Sequence, residues 1–167
     1  SLKNAVVSSA DRLAVELNRK TASVQDFRLQ ADQNIESAVD LINGAVSRIE
    51  DLNQSIVEAV IFGVSTANLE DDRRTELETL ANLIDLNYFI NSNNEVQIYT
   101  GGRPLLDSVP HVIEYTANAN LGATSIFPVG FNPIDLDGFD ITTIIKSGEL
   151  GGLIELRDNI LPQEQEK

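Results

Sequence analysis

Few side chains in this sequence have the types and spacing that catalysis requires. His111 is the only histidine and there is no cysteine, which excludes thiolate nucleophiles, thiolate metal sites and disulfides. Asp71 and Asp72 are neighbours on a predicted helix, so their side chains point apart and do not form a general acid–base pair. We therefore predict that His111 lies at a strand edge, that the chain is not an enzyme, with no catalytic residue, and that it binds no cofactor.

The acidic run Asp135–Asp140 begins like a calcium-binding loop but departs from the pattern of such loops. Gly138 comes too early, and Lys146 occupies the position where the loop needs its bidentate glutamate. We therefore interpret the run as an acidic turn and predict no metal site.

Two glycine-rich segments, at 101–102 and 148–152, have to be tested as phosphate-binding loops. Neither has the spacing or the Lys-Ser/Thr pair of such a loop, and Glu149 would repel a phosphate. Glycine inside a helix costs about 1 kcal/mol relative to alanine, so its presence in a first helical turn needs another reason. We predict that Gly151 and Gly152 let another backbone or helix pack closely.

The composition argues against several classes of partner. A formal net charge of −14 opposes binding to nucleic acid and to anionic membrane surfaces. No apolar run approaches the roughly 18 residues of a membrane span, and no cleavable secretory signal is visible. The absence of cysteine fits a protein that unfolds for export, and we predict an extracellular location. Export would then use a route without a cleaved signal peptide, or the signal would lie outside this sequence.

Residues 2 to about 61 predict one very long amphipathic helix. The stretch contains no proline and one glycine, Gly44, and its apolar residues recur in steps of three and four along a narrow stripe, as in a coiled-coil seam. At 1.5 Å per residue this helix would be about 90 Å long, whereas a compact domain of this size is about 40 Å across. The weakest point for a bend is Asn18–Ser23, where the spacing slips. Because no glycine or proline lies there, we expect a rod.

One polar residue, Arg28, interrupts the stripe, and we expect the neighbouring Phe27 to cover it. The stripe is rich in alanine, so a partner helix could approach closely. We expect most of it to pack within the chain and part of it to bind helices outside this sequence. The predicted packing or interface residues of the long helix are Leu13, Leu17, Ala31, Ile35, Ala38, Ile42, Ile49 and Leu52.

A second helix is predicted to begin soon after residue 65. Its packing stripe includes Leu77 and Leu80, and a short connection should place it antiparallel to the end of the first helix. On its outer face we expect Arg74 to form i,i+4 ion pairs with Glu70 and Glu78.

From Asn87 the apolar period changes to two, which predicts a β region. Tyr88–Ile90 and Val96–Thr100 flank the polar turn 91–94 and are predicted to form a hairpin. The glycines and proline of 101–104 are predicted to turn the chain.

The rest of the sequence has weaker patterns. Val112–Tyr115 is predicted to be a third strand, and residues 116–139 show no periodicity and are predicted to be mostly loop. A final helix should follow Ser147, with Leu150 and Leu153 on its packing face.

Together these elements predict a fold that is mainly α with a small β region. We expect an elongated rod of one very long helix, shorter antiparallel helices and a β-hairpin or three-stranded element. We divide the chain into a helical, coiled-coil-like rod, residues 1–86 and 141–167, and a β-hairpin and loop region, residues 87–140.

Two segments of the sequence resemble the family of flagellar hook-associated protein 1 (FlgK). Residues 147–158, SGELGGLIELRD, are similar to the family's G-x-L-G-G-L-x-x-x-R-D, in which Gly148, Arg157 and Asp158 stand at motif positions.

Residues 68–81, NLEDDRRTELETLA, resemble a second stretch of the same family, N-L-x-D-x-R-x-x-L-x-x-L. Asp72 and Arg73 are the candidate motif residues, and Arg74 keeps the register open. The long preceding helix is also similar to that of the family, so the resemblance covers nearly the whole chain.

The resemblance implies a structural subunit of the bacterial flagellum that forms the hook–filament junction by axial self-assembly after type III export. The implied partners are hook subunits, other junction proteins, neighbouring copies and an export chaperone that binds beyond the C-terminus. Because the sequence has no methionine and ends as a further helix starts, we expect a fragment without both terminal segments. The family's variable outer domain is expected to be absent or reduced.

Two alternatives stay open. The chain could be a flagellin-like or other axial flagellar subunit, or it could be a coiled-coil adaptor that binds a partner helix. A stable dimer or trimer in solution would favour the adaptor, whereas a monomer would favour a flagellar subunit without its assembly ends.

Overall fold

The computed structural model describes residues 2–122, 125 and 127–165. Its elements in chain order are α1 (Leu2–Ile61), α2 (Ala67–Leu83), β1 (Asn87–Ile90), β2 (Val96–Thr100), β3 (Arg103–Leu106), β4 (Ile113–Glu114), β5 (Asp135–Leu136), β6 (Phe139–Asp140), α3 (Gly148–Glu155), a π-helical turn (Leu156–Ile160) and α4 (Leu161–Gln165). The predicted fold class, mainly α with a small β region, is confirmed.

Helix α1 spans 60 residues without a break, which corresponds to a length of about 90 Å. It continues through Asn18–Ser23, where the lack of glycine and proline leaves nothing to interrupt the backbone hydrogen bonds. Residues 3–20 are all exposed, whereas a stripe from Ala31 to Ile56 is buried. We call residues 3–20 the N-terminal arm.

Helix α2 packs antiparallel to the second half of α1. Arg73 donates to Asn53 over 2.9 Å, and Glu76 pairs with Arg48 over 3.0 Å. A later residue of α2 therefore contacts an earlier residue of α1, which is the antiparallel arrangement predicted from the short connection. The C-terminal helical segment also contacts α1, nearer to its N-terminus.

The core lies between α1, α2, α3 and two small sheets. Its larger members are aliphatic side chains that are at most 8% exposed. They are Ile35, Val39, Ile42, Val46, Ile49, Leu77, Leu80, Leu83, Ile84, Val96, Ile98, Leu105, Leu106, Ile113, Ile134, Leu136, Ile141, Ile145 and Leu150.

The first sheet is antiparallel with strand order β1-β2-β3. The predicted hairpin of β1 and β2 is present, with Ile90 opposite Val96. The prediction of a turn over the whole of 101–104 is wrong, because the turn comprises only Gly101 and Gly102, and Arg103 already starts β3 opposite Thr100. Both glycines have positive φ, 53° and 79°, which a two-residue hairpin turn between twisted strands requires.

The second sheet, β4-β5-β6, corrects the prediction of a third strand at Val112–Tyr115. Only Ile113–Glu114 forms a strand, and it pairs with β5 of this separate sheet. Strands β5 and β6 form a hairpin around Asp137-Gly138, whose φ angles are 54° and 79°. The acidic run is therefore a tight hairpin, and the remaining described residues of 116–139 are mostly loop.

The expectation that Phe27 covers Arg28 is wrong. Phe27 is 57% exposed, whereas Arg28 is 1% exposed, because successive residues of a helix point about 100° apart. The ring that covers the Arg28 guanidinium belongs to Phe131. The division of the chain into a helical rod and a β region remains a proposal.

Candidate functional site

A buried group of polar side chains joins the C-terminal helical segment to α1. Arg28 and Asp32 come from α1, Tyr115 follows β4, and Arg157 and Asp158 lie in the π-helical turn. The two arginines and Asp32 are at most 1% exposed. We call these five residues the arginine cluster.

Arg157 is the centre of the arginine cluster. Its Nη1 donates to Asp32 Oδ1 (2.9 Å) and to the Tyr115 hydroxyl (2.7 Å). Its Nε and Nη2 donate to the two carboxylate oxygens of Asp158 (2.8 and 2.9 Å). Tyr115 in turn donates to Asp32 Oδ1, while the backbone and side-chain amides of Asn118 donate to Asp32 Oδ2 (2.7 and 3.2 Å). The buried carboxylate is therefore fully hydrogen-bonded.

The second arginine of the cluster, Arg28, ties α1 to two backbone carbonyls. Its Nε donates to the carbonyl of Arg157 (3.3 Å), and its Nη2 donates to that of Ser125. The Phe131 ring lies near both guanidinium groups, with its centroid 5.2 Å from that of Arg28 and 4.3 Å from that of Arg157. Two buried cations share one aromatic ring here because two carboxylates balance their charge.

Burial and hydrogen bonding shift the pKa values of Arg28, Arg157 and Tyr115. Burial lowers the pKa of Arg28. Burial would also lower the pKa of Arg157, but the hydrogen bonds and charge of Asp158, with help from Tyr115 and Asp32, raise it. Burial and the hydrogen bond to Asp32 raise the pKa of Tyr115, so the phenol stays protonated at neutral pH.

A second buried polar site joins α1, α2 and the first hairpin. Arg73 is 4% exposed, and its Nη1 donates to Asn53 Oδ1 (2.9 Å) and to the carbonyl of Asn94 (2.6 Å). Asn94 sits in the hairpin turn with φ 65°, and its side-chain amide donates to Glu70 (2.9 Å). Burial lowers the pKa of Arg73, and the charge of Glu70 opposes that shift.

Two asparagines of α1 hold strand residues through both atoms of their amides. Asn53 Nδ2 donates to the Val96 carbonyl and Asn53 Oδ1 accepts from the Val96 N–H, both over 2.9 Å. Asn43 makes the same pair of bonds with Ile113, over 2.8 and 2.9 Å. Each amide replaces the hydrogen bonds that a neighbouring strand would supply, so each sheet has one residue whose backbone is hydrogen-bonded to α1 in addition to its apolar packing.

The glycine that begins the 147–158 motif allows a close backbone approach. Gly148 has φ 74°, and a Cβ at this position would lie 2.7 Å from the backbone nitrogen of Ile84. Only glycine fits such a contact without displacement of the chain. Two residues later, Leu150 is fully buried in the core.

The other packing residues predicted in this motif differ in their surroundings. Gly151 is buried, and a Cβ there would lie 2.8 Å from the backbone carbonyl carbon of Lys146. Gly152 is exposed with no described atom within 4 Å of such a Cβ, and Leu153 is half-buried. The proposed packing role of Gly152 therefore remains a prediction.

The arginine of the 68–81 motif could be Arg73 or Arg74, and these two residues differ in burial. Arg73 lies in the buried site described above, whereas Arg74 is exposed and pairs with Asp71 over 2.8 Å. The expected ion pairs of Arg74 with Glu70 and Glu78 are thus replaced by an i,i+3 pair. The buried arginine of this stretch is the one at position 73.

The predicted seam residues fall into two groups. Leu13 and Leu17 lie on the N-terminal arm and are 61% and 52% exposed, and Leu17 lines a groove together with Glu164 of α4. Leu52 is half-buried. The buried members are Ala31, Ile35, Ala38, Ile42, Ile49, Leu77 and Leu80.

His111 lies between two carboxylates at the edge of the β region. Its Nδ1 is 2.6 Å from Asp137 Oδ2 and its Nε2 is 3.3 Å from Asp107 Oδ1. Burial lowers the pKa of His111, but the hydrogen bonds and charges of the two aspartates outweigh burial and raise it. Across the described residues, no group of three or more His, Asp or Glu side chains is placed to hold a metal ion.

Sequence reasoning missed several residues of these polar sites, among them Asp32, Asn43, Asn53 and Tyr115. Asp32 lies about one helical turn after Arg28, so both charged residues lie on the same side of the predicted helix. A second charge beside the polar residue of the apolar stripe was the signal from which a buried polar site could have been predicted. The asparagines gave no signal, because a polar residue beside a stripe is usually solvated.

None of the described helices is both long enough and apolar enough to span a membrane.

Comparisons with known proteins agree with this architecture. The whole chain, residues 1–167, matches the family model described as "Flagellar hook-associated protein FlgK helical domain". A search of curated proteins gave no match. Among solved structures, the chain is similar to one described as the flagellar hook junction protein FlgK from Burkholderia pseudomallei, with a TM-score of 0.69 and 22% sequence identity. The similar region covers 90% of this chain and 27% of that chain, and it shows a shared fold.

Proposed function

Because the chain belongs to the FlgK helical-domain family of flagellar hook-associated proteins, we propose that it forms the helical wall of a hook–filament junction subunit. The observation that carries the proposal is the family match over the whole chain, residues 1–167. The fold adds support, because one 60-residue helix with a small attached core suits a wall element better than a globular module.

The proposed work is mechanical. Helix α1 supplies a stiff rod, and the arginine cluster and the Arg73 site attach the other elements to it at two separated points. A force along the rod would then act on buried, hydrogen-bonded polar groups, and these groups tolerate little displacement. The exposed apolar residues Leu13 and Leu17 provide surface for neighbouring chains.

The end of the rod at the C-terminus of α1 offers a second exposed apolar surface. Strand β1 is an edge strand, and its Phe89 is 62% exposed. After α1 ends, Phe62 is 79% exposed. Exposed apolar groups and unpaired strand edges are features of surfaces that other chains cover.

We propose hook subunits, other junction proteins and copies of the chain itself as partners, on the extracellular flagellum. Export would proceed without a cleaved signal peptide, and an export chaperone would bind outside the described residues. The family is one of structural flagellar proteins, and we propose no catalytic activity, cofactor, nucleic acid or membrane partner.

A coiled-coil adaptor is the second candidate, and the exposed stripe of the N-terminal arm is the observation that favours it. Multi-angle light scattering on the 167-residue chain separates the two. An adaptor that pairs through the stripe would form a stable, salt-resistant dimer or trimer, whereas a wall element lacking its assembly partners would be largely monomeric at micromolar concentration.

The junction role can be tested in flagellated bacteria that lack their own hook-associated protein 1. The full-length protein that contains this chain is expressed with a small tag, and its amount in the medium reports export separately from assembly. We expect the tag at hook ends and restored attachment of filaments. If the protein is exported but never found at hook ends, the proposed function is wrong.

A further inference from the structure

His111 makes two contacts that a neutral imidazole ring cannot satisfy together. Its Nδ1 lies 2.6 Å from Asp137 Oδ2, and its Nε2 lies 3.3 Å from Asp107 Oδ1. Both partners are carboxylates, which accept hydrogen bonds and cannot donate them when they are ionised. A neutral ring carries a proton on one nitrogen, whereas a charged ring carries a proton on each. Only the charged ring can therefore donate to both aspartates.

The two aspartates belong to different parts of the β region. Asp107 lies in the loop 107–110, directly after β3 of the first sheet, whereas Asp137 lies in the turn between β5 and β6 of the second sheet. The half-buried ring of His111 therefore joins the loop to that turn. The charges that act on the ring are those of these two carboxylates, one from each segment that contacts it.

The two aspartates differ in how much they depend on His111. Asp107 Oδ1 also accepts hydrogen bonds from the backbone N–H groups of Ser108 and Val109. These bonds lower the pKa of Asp107, so its carboxylate stays ionised over the range in which histidine titrates. The contact with Asp137 is the shorter of the two. A neutral ring should therefore keep its proton on Nδ1, facing Asp137, and turn an unprotonated Nε2 towards Asp107.

We propose that His111 is a pH-sensitive latch, which holds the loop 107–110 against the β5–β6 turn while the ring is charged and releases the loop when the ring is neutral. The Nε2 atom is buried, and within the described residues it has no aligned hydrogen bond. A neutral ring would leave this nitrogen as an unpaired acceptor beside a negative charge, which is unfavourable. Movement of the loop relieves the repulsion and lets water donate to Nε2. The latch is thus closed at lower pH and opens as the pH rises.

The opening is confined to the loop, because a second contact joins the two sheets. The guanidinium of Arg103, in β3, lies over the ring of Phe139, in β6, at 3.4 Å from its centroid. Guanidinium groups stay charged over the range in which histidine titrates, so this contact does not respond to the same change of pH. Val109 in the loop is 55% exposed, and the latch lets the surface around it change with pH. This device goes beyond the proposed function and does not depend on it.

The composition of the chain allows two site-specific measurements of the latch. His111 is the only histidine, so the NMR signals of its ring report directly what fraction of the ring is charged. The chain has no cysteine, so a Val109→Cys variant accepts a single spin label, whose mobile fraction in electron paramagnetic resonance reports opening of the loop. We expect the mobile fraction to rise roughly tenfold between about pH 6 and pH 9, with the same midpoint as the titration of the ring.

The substitution Asp107→Asn separates the latch from other effects of pH. Asparagine keeps the size of Asp107 and an oxygen that accepts from the loop N–H groups, but it has no charge to repel a neutral ring. The ring of His111 should still titrate, with its midpoint lowered by about 0.5 pH unit. The label at position 109 should nevertheless keep its low mobility between about pH 6 and pH 9. His111→Gln, which cannot titrate, should also remove the pH dependence of the label.

A label at Leu41→Cys is the matched control, because Leu41 is 56% exposed, like Val109, but lies on the continuous helix α1. Its mobility should not change with pH, and circular dichroism checks the helix content of every variant. The latch is overturned if the label at position 109 keeps one mobility while the ring titrates, if Asp107→Asn leaves its pH dependence unchanged, or if the label at position 41 changes with it. A chain whose loop opens as expected but which never reaches hook ends would contradict the junction role alone.

Discussion

The substitution Asp32→Asn tests what attaches the C-terminal helical segment to α1. It turns one carboxylate oxygen into an NH₂ group at a side chain that is fully buried. Tyr115 and Arg157 both donate to Oδ1, and two N–H groups of Asn118 donate to Oδ2. Whichever way the new amide is oriented, its NH₂ group faces donors, and Arg157 loses one of its two balancing charges.

The expected loss of stability follows from the burial of Asp32. Breaking a buried ion pair by removing one partner costs about 3–5 kcal/mol. Asparagine leaves no cavity, and Asp158 still neutralises Arg157, so the lower end, about 3 kcal/mol, applies here. The matched control is Asp26→Asn, the same change at an exposed position of the same helix, which should alter the free energy of unfolding by less than about 0.5 kcal/mol.

Urea unfolding measures the difference between Asp32→Asn and Asp26→Asn. With an m value of about 2 kcal/mol per M, the Asp32→Asn midpoint should fall by about 1.5 M at unchanged m. Hydrogen exchange should rise first at residues 156–165, because the substitution weakens their attachment. If the two variants unfold at the same urea concentration, the arginine cluster does not hold the segment and the reasoning is refuted.

Urea unfolding should also distinguish Arg73 from Arg74, Gly148 from Gly152, and His111→Gln from the wild type. Arg73→Met should cost about 2–3 kcal/mol because it leaves buried acceptors without a donor, whereas Arg74→Met at the exposed neighbouring position should cost less than about 0.5 kcal/mol. Gly148→Ala should destabilise by more than about 1 kcal/mol, since its Cβ would lie 2.7 Å from backbone atoms at φ 74°, while Gly152→Ala, in open space, should stabilise by about 0.5–1 kcal/mol. The pKa of His111 is raised, so its ion pairs stabilise the fold fully below its ordinary pKa of about 6.5, and this stabilisation is lost as pH rises through the raised pKa. The urea midpoints of the wild type and of His111→Gln should therefore converge between about pH 6 and pH 9.

The helices and the first hairpin were predictable because their signals are local. The apolar steps of three and four from Ala31 to Ile56 indicate a helix wherever the rest of the chain lies. The tight turn Asp137-Gly138 was equally local, since Asp-Gly between apolar residues is a strong hairpin signal. The run was interpreted as an acidic turn, but the strands on either side of it were not predicted, because each has only two residues.

The polar sites could not be predicted from sequence because their partners are distant in the chain. Arg28 interrupts the apolar stripe visibly, but the carbonyl it binds belongs to Arg157, 129 residues away. Asn53 looks like a solvated residue until the strand that carries Val96 is placed against it. Burial of a polar group is favourable only when its partner is in position, so the fold has to be known first.

These polar residues fix the position of neighbouring elements along α1, which the apolar stripe cannot do. An aliphatic stripe with a repeat of three and four presents nearly the same surface after a displacement of seven residues, so apolar packing alone leaves the position of a neighbouring element along α1 undecided. Asn43 and Asn53 remove that freedom, because each side chain donates to the carbonyl of a single strand residue and accepts from the N–H of the same residue.

Arg157 fixes the C-terminal helical segment by the same logic. A shift of this segment by two turns would take its guanidinium away from Asp32 and leave a fully buried cation facing aliphatic side chains, which costs several kcal/mol. The displaced packing is therefore excluded although its apolar contacts would be similar. Along residues 3–20 every described side chain is exposed, so none of them can fix a neighbouring element as the buried Arg157 does, and we propose this stretch of α1 as a surface for other molecules.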